Sequence, residues 1–153
     1  DYWYLEGRRR VKMIYVNIMA HKVLEGKSVG FQKEYFLNTA SAHSIWNQIS
    51  TARGLSEWFA PKVDITQDLI HIFWDDQGDD RVATINKRIP NKLIEWRWND
   101  DPESYIRMEI VTSELSNSTS LMVDDHDKGL ETESLEQIWM AHEERLLASL
   151  GIL

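Results

Sequence analysis

The sequence predicts one α+β domain in which a curved antiparallel sheet wraps around a long C-terminal helix. Three observations carry that expectation. Between residues 62 and 124, short runs rich in apolar residues are separated by brief turn signals, and connections this short force neighbouring strands antiparallel. Two of the runs alternate strictly. Ile94, Trp96 and Trp98 share one face against Glu95 and Arg97, and Ile106, Met108 and Ile110 oppose Arg107 and Glu109. A sheet with one dry face needs a cover. The C-terminal segment supplies it, with Leu135, Ile138, Trp139, His142, Leu146, Leu147 and Leu150 recurring near a period of 3.6.

The elements follow in order. Phe31–Leu37, rich in aromatic residues, reads as a strand. Ser41 then caps a short helix over Ala42–Ile49 whose apolar side holds Ile45, Trp46 and Ile49. Ser50 and Thr51 cap a second short helix containing Leu55, Trp58 and Phe59, which Pro61 ends. Neither can bury itself, so both must lie across something larger. Strands are expected at Lys62–Thr66, Leu69–Trp74, Arg81–Lys87, Lys92–Trp98, Tyr105–Glu114 and Ser118–Asp124. For the last helix, Ser134-x-x-Gln137 reads as a capping box and Gly151 takes the C′ place. Its length of about 17 residues, roughly 25 Å at the helical rise, is enough to cross a sheet.

Composition excludes several function classes. The 153 residues carry a formal charge of −8, unevenly distributed. Residues 1–30 hold six Lys and Arg against three acids, and the remainder holds eleven against twenty-two. An acidic body argues against nucleic-acid binding, which needs a basic face. There is no cysteine, so disulfides, thiol nucleophiles and thiolate metal sites are out, in keeping with a cytoplasmic protein. No apolar run approaches the roughly 20 residues of a membrane span. Residues 1–26 read as an extension outside the domain: Arg8, Arg9 and Arg10 precede a short apolar stretch broken by Lys12 and Asn17, too poor for a signal peptide. Met13 or Met19 could each be the natural start. The domain itself is expected over 27–153.

The segment from Ile49 to Ala60, with Thr51, Gly54, Leu55, Trp58 and Phe59, resembles the T-x-x-G-L-x-x-W-F stretch of one START-like family. That family is the branch of the START-like, helix-grip superfamily related to the activator of the 90-kDa heat-shock-protein ATPase. The closing helix, Ile138-Trp139 through Leu150-Gly151, is similar too, and the resemblance covers roughly residues 27–152. It implies an apolar ligand held between sheet and helix, with Leu55, Trp58 and Phe59 at the mouth and Ile138 and Trp139 on the long helix. The eukaryotic activator has a separate N-terminal chaperone-binding domain to which nothing in this sequence corresponds, which puts co-chaperone activity in doubt.

The residues expected to line the groove are Trp46, Leu55, Trp58, Phe59, Trp96, Trp98, Met108, Trp139 and His142. The competing reading is a tryptophan-rich core. His142, on the apolar side of the last helix, would be the best proton-transfer group if it faced a cavity. The five histidines lack metal-ligand spacing, and no nucleotide-binding or nucleophile-elbow motif occurs, so no catalytic residue, metal or cofactor is assigned. Three acidic clusters, at Asp75–Asp80, Asp100–Glu103 and Asp124–Asp127, follow odd-numbered strands and should gather at one rim. They read as solvated loop carboxylates or as a surface for a basic partner. The leading expectation is non-catalytic binding of a small apolar or amphipathic ligand. Alternatives are a protein-interaction or co-chaperone-like module and a cyclase or dehydratase type of enzyme on the same fold.

Overall fold

A computed structural model describes residues 29–152 of the chain. The expected extension at residues 1–26 lies outside the described residues.

Seven strands form one antiparallel sheet: β1 (Val29–Phe36), β2 (Lys62–Thr66), β3 (Leu69–Phe73), β4 (Asp80–Ile89), β5 (Leu93–Trp98), β6 (Asp101–Ser113) and β7 (Ser118–Asp127). Three helices complete it: α1 (Ala42–Ser50), α2 (Ala52–Trp58) and α3 (Thr132–Ser149). Strand order is β1-β7-β6-β5-β4-β3-β2, so the meander runs from β2 to β7 and β1 joins its far edge. Each neighbour in sequence from β2 to β7 is joined by a short turn. Three of those turns place a non-glycine residue, Gln67, Asn91 or Asn117, in the left-handed region, which tight reversals require and Asn tolerates well. A register shift between Ile85 and Lys87 marks a bulge in β4, and such an extra residue bends a strand and increases its twist.

The helix termini test the capping argument directly. Ser41 Oγ accepts from the Ser44 N–H at 3.0 Å, and Thr51 Oγ1 accepts from the Gly54 N–H at 2.9 Å, as expected of N-caps. At the other end of the molecule Gly151, with φ +72°, occupies the C′ position of α3. The expected capping box at Ser134 is a correction. The N-cap is Glu131, without a side-chain cap bond, and Ser134 lies one turn inside the helix with its backbone N–H donating to the Glu131 carbonyl at 3.1 Å. The helix starts earlier because Leu130 and Leu135 are both buried against the sheet, and that packing outweighs the local capping signal.

The core lies between the inner face of the sheet and the helices. Ile94, Trp96 and Met108 are fully buried, as are Leu121, Val123 and Leu146. The outer face departs from expectation at Glu95, which is 5% exposed. Asn86, carried there by the β4 bulge, donates to its carboxylate, and Arg107 lies 3.8 Å away. Side chains of neighbouring strands therefore roof a charge that alternation places on the wet side.

Candidate functional site

The dry face of the sheet and the three helices enclose a cluster of aromatic rings. Trp58, the last residue of α2, is anchored by its Nε1 donating to the Gln48 carbonyl of α1 at 2.8 Å. Gln48 in turn donates through Nε2 to Ser149 Oγ of α3 at 2.7 Å and to Glu57 Oε2 at 2.9 Å. One buried amide thus ties all three helices together and fixes the tryptophan over the sheet. The Trp58 ring lies 6.3 Å from Trp139 and 6.0 Å from His142. Phe59, just past the end of α2, has centroids of Trp96, Trp139 and His142 at 5.7, 5.9 and 5.2 Å. These separations are those of rings in contact.

Trp139 is held from two sides. Its indole Nε1 donates to Asp125 Oδ2 at 2.9 Å, and its carbonyl accepts from the Tyr35 hydroxyl of β1. Farther along the sheet Trp98 meets Trp96 and Trp74, each at 6.5 Å, and the Arg81 guanidinium lies 4.2 Å from its ring centre. Leu55 and Met108 are fully buried in the same core. Of the nine residues expected to line a groove, eight are buried in the shared interior; Trp46 is half-buried at its margin and makes no ring contact among the described residues.

The interior is not wholly apolar. Trp96 Nε1 and His142 Nδ1 have no hydrogen-bond partner among the described residues. Burial drives the His142 pKa down to about 3, helped by the Arg145 charge and opposed by a hydrogen bond to the Trp58 backbone. The imidazole is therefore neutral near pH 7. Asp125 shifts the opposite way: burial pushes its carboxyl up to about 7, with the Trp139 bond and Arg81 opposing and the Asp127 charge adding to it. The Tyr35 hydroxyl is also raised by burial, and by the charge of Glu143.

The acidic clusters do converge on one rim, but not as free carboxylates. Arg81 reaches across it. Its Nε and Nη2 donate to Asp100 at 3.1 and 2.9 Å, and Nη1 donates to Asp127 at 3.3 Å. Burial works against the Arg81 charge, yet the bond to Asp100 and the two carboxylate charges outweigh it and raise the pKa. The reading of solvated carboxylates fails at Asp125 and Asp127, which are 5% and 8% exposed. Sequence reasoning missed both, although Leu121, Val123, Asp125 and Asp127 share one parity along β7 and the first two are plainly apolar. Replacing Arg81 by methionine is expected to destabilise the fold by about 2 kcal/mol, between the values for exposed and buried ion pairs. Urea unfolding in low and high salt checks this, and an unchanged midpoint would show that the bridge contributes nothing. Among the described residues no group of His, Asp or Glu could hold a metal ion, and no helix is long and apolar enough to cross a membrane.

The family model of the START-like superfamily domain matches residues 25–152. The chain belongs to the START-like superfamily. Its solved structural relatives agree with that assignment. The START-like chain is similar to the Aha1 dimer from Colwellia psychrerythraea, with TM-score 0.65 and 22% identity over 81% of this chain and 97% of that one. It is similar to the protein BfR322 from Bacteroides fragilis, with TM-score 0.56 and 25% identity, covering 80% and 88% of the two chains. A protein from Mesorhizobium loti, MLL2253, matches with TM-score 0.59 and 17% identity, covering 82% and 97%. No curated protein matches the chain. Domains of the START-like fold commonly bind small ligands or serve accessory roles.

Proposed function

We propose that this START-like domain binds a small apolar or amphipathic molecule between its sheet and α3, without transforming it. The observation that carries the reading is the pair of orphaned polar atoms, Trp96 Nε1 and His142 Nδ1, inside an otherwise aromatic enclosure. Buried polar groups in native proteins are almost always satisfied. Leaving one unmet costs about 1–3 kcal/mol, so two in one cluster favour an interior that accepts something. The groove is proposed to be lined by Leu55, Trp58, Phe59, Trp96, Trp98, Met108, Trp139 and His142, all of them buried. The ring contacts mean that a ligand must displace side chains to enter.

Titration with 1-decanol is expected to change the tryptophan fluorescence saturably, since several indoles lie in or beside the enclosure. Native mass spectrometry of the freshly purified protein would identify any molecule that it carries. No saturable response and no bound small molecule, with circular dichroism unchanged, ends the reading.

A second reading, a protein-interaction module, draws on the outer face. Phe36 of β1 and Val111 of β6 flank Ser120 of β7 in one row, and they are 69% and 40% exposed. Exposed apolar residues gathered on one sheet face are candidates for a contact surface. The acidic rim is the weaker basis for a partner, because Arg81 already pairs with Asp100 and Asp127. If the outer row is a contact surface between copies, sedimentation over a range of concentrations will show self-association that a Phe36→Lys, Val111→Lys variant loses.

A further inference from the structure

We propose that the interior site selects a ligand whose polar end carries both a hydrogen-bond donor and an acceptor, an alcohol above all, read by His142 Nδ1 and Trp96 Nε1. This rests on the ligand-binding reading above and specifies what that ligand must present. The argument starts from the two orphaned atoms. An indole N–H can only donate. The imidazole is neutral and bonds to the Trp58 backbone in the sense that favours a protonated ring; with Nδ1 unpartnered, that bond falls to Nε2 as a donor to the carbonyl. Nδ1 is then left as a lone-pair acceptor. The enclosure thus offers one donor and one acceptor, and both belong to side chains at least nine-tenths buried, Trp96 at 0% and His142 at 8% exposure.

Geometry places them around a common neighbour. Phe59 touches the Trp96 ring at 5.7 Å and the His142 ring at 5.2 Å, and among the described residues it is the aromatic ring in contact with both. It follows the end of α2, where the backbone N–H still bonds to the Leu55 carbonyl but the chain is leaving the helix towards Pro61. The proposal requires this ring to yield to the ligand, and since Phe59 lies past Trp58, the last residue of α2, its displacement need not break the helix. The volume it occupies borders the rings of Trp96, Trp139 and His142, whose centroids lie 5.7, 5.9 and 5.2 Å from its own. A hydroxyl entering there gives its proton to Nδ1 and accepts from an indole. An ether or ester oxygen can only accept, and leaves Nδ1 unmet. A carboxylate places its charge against a lone pair in a site whose burial already opposes protonation of the ring.

The test compares two isomers of one formula, 1-decanol and methyl nonyl ether, by tryptophan fluorescence on the wild-type protein. Their apolar parts are nearly equal, so a plain greasy groove treats them alike. The proposal expects decanol to bind about tenfold more tightly, the factor associated with one added hydrogen bond. In His142→Phe, which keeps a ring but has no acceptor, the preference should fall to within about twofold while the ether still binds. The Trp96 indole N–H resonance, assigned through Trp96→Phe, should shift downfield with decanol and supplies a readout that needs no folded His142 variant. Equal binding of alcohol and ether by the wild type, or an undiminished preference in His142→Phe, overturns the subsite and leaves the groove standing. No binding of either isomer removes the groove and the subsite together.

Discussion

Near pH 8, replacing Asp125 by asparagine is expected to stabilise the protein by about 3 kcal/mol, a gain that vanishes towards pH 4. Asparagine keeps an oxygen for the Trp139 indole, which donates to Asp125 Oδ2 in the native fold, and carries no charge to bury. The sign follows from where the proton sits. In the fold burial raises this carboxyl from 3.8 to about 7, against the Trp139 bond and Arg81 and together with Asp127. Between those values the folded chain holds a proton that the unfolded chain has lost. Stability therefore falls as pH rises through that window, and the whole penalty stands above about pH 7.

His142 produces the opposite slope. Burial, with Arg145, lowers its pKa from 6.5 to about 3, and the Trp58 backbone only partly offsets this. Here the unfolded chain binds the extra proton, so stability falls as pH drops from about 6.5 to 3. In the shared window from about pH 4 to 6.5 the two contributions run against each other, each at most about 1.4 kcal/mol per pH unit. The wild-type profile from this pair is nearly level. Each variant unmasks the other group: Asp125→Asn should lose stability on acidification, and His142→Phe should lose it on alkalinisation. Urea unfolding at several pH values reads both. Two variants with slopes of the same sign would show that one of these groups is not buried as described.

Those two residues also show what the sequence could and could not convey. Alternation in Lys92–Trp98 and Tyr105–Val111 placed Trp96, Trp98 and Met108 on the inner face, because a pleated strand leaves no other choice once one face is dry. The same rule, applied to β7, puts Asp125 and Asp127 inward beside Leu121 and Val123, but acidic identity suggested a solvated loop. Glu95 failed for a different reason. Its parity was read correctly, and its burial comes chiefly from Asn86 of β4 and Arg107 of β6 on the same outer face, a matter of strand neighbours rather than of its own strand. β6 begins at Asp101, earlier than the expected Tyr105, since Asp101 already pairs with Trp98 across the turn. The junction of β1 with β7 pairs Val29–Phe36 with residues almost a hundred positions later, and no local spacing encodes that. Whether seven tryptophans leave a groove or interdigitate is likewise a question of side-chain volume in three dimensions. The rings meet one another, while Gln48, Tyr35 and Arg81, each fixing a part of the enclosure, gave no signal beyond their residue type.

Replacing Gly54 by alanine is expected to cost about 3 kcal/mol, although alanine in an open helix would gain roughly 1 kcal/mol over glycine. The reason is the approach of α2 to α1. A Cβ at position 54 would lie 2.1 Å from the Asn47 carbonyl oxygen, 2.6 Å from Gln48 Cα and 2.9 Å from the Asn47 carbonyl carbon. All three are backbone atoms, so no rotamer change relieves the clash, and α1 itself would have to move. It is poorly free to do so. The Asn47 carbonyl accepts from Thr51 Oγ1 at 2.6 Å, the Gln48 carbonyl holds the Trp58 indole, and the Gln48 side chain is bonded to Ser149 of α3. Displacing α1 therefore pulls on the tryptophan that roofs the aromatic cluster as well as on the helix pair. Near-ultraviolet circular dichroism should lose tryptophan signal along with stability, while far-ultraviolet intensity is largely kept. An alanine variant as stable as the native protein would mean that the two helices stand farther apart than this contact allows. The hydrogen bond from Trp58 to Gln48, and with it the placing of Trp58 over the sheet, would then have to be redrawn.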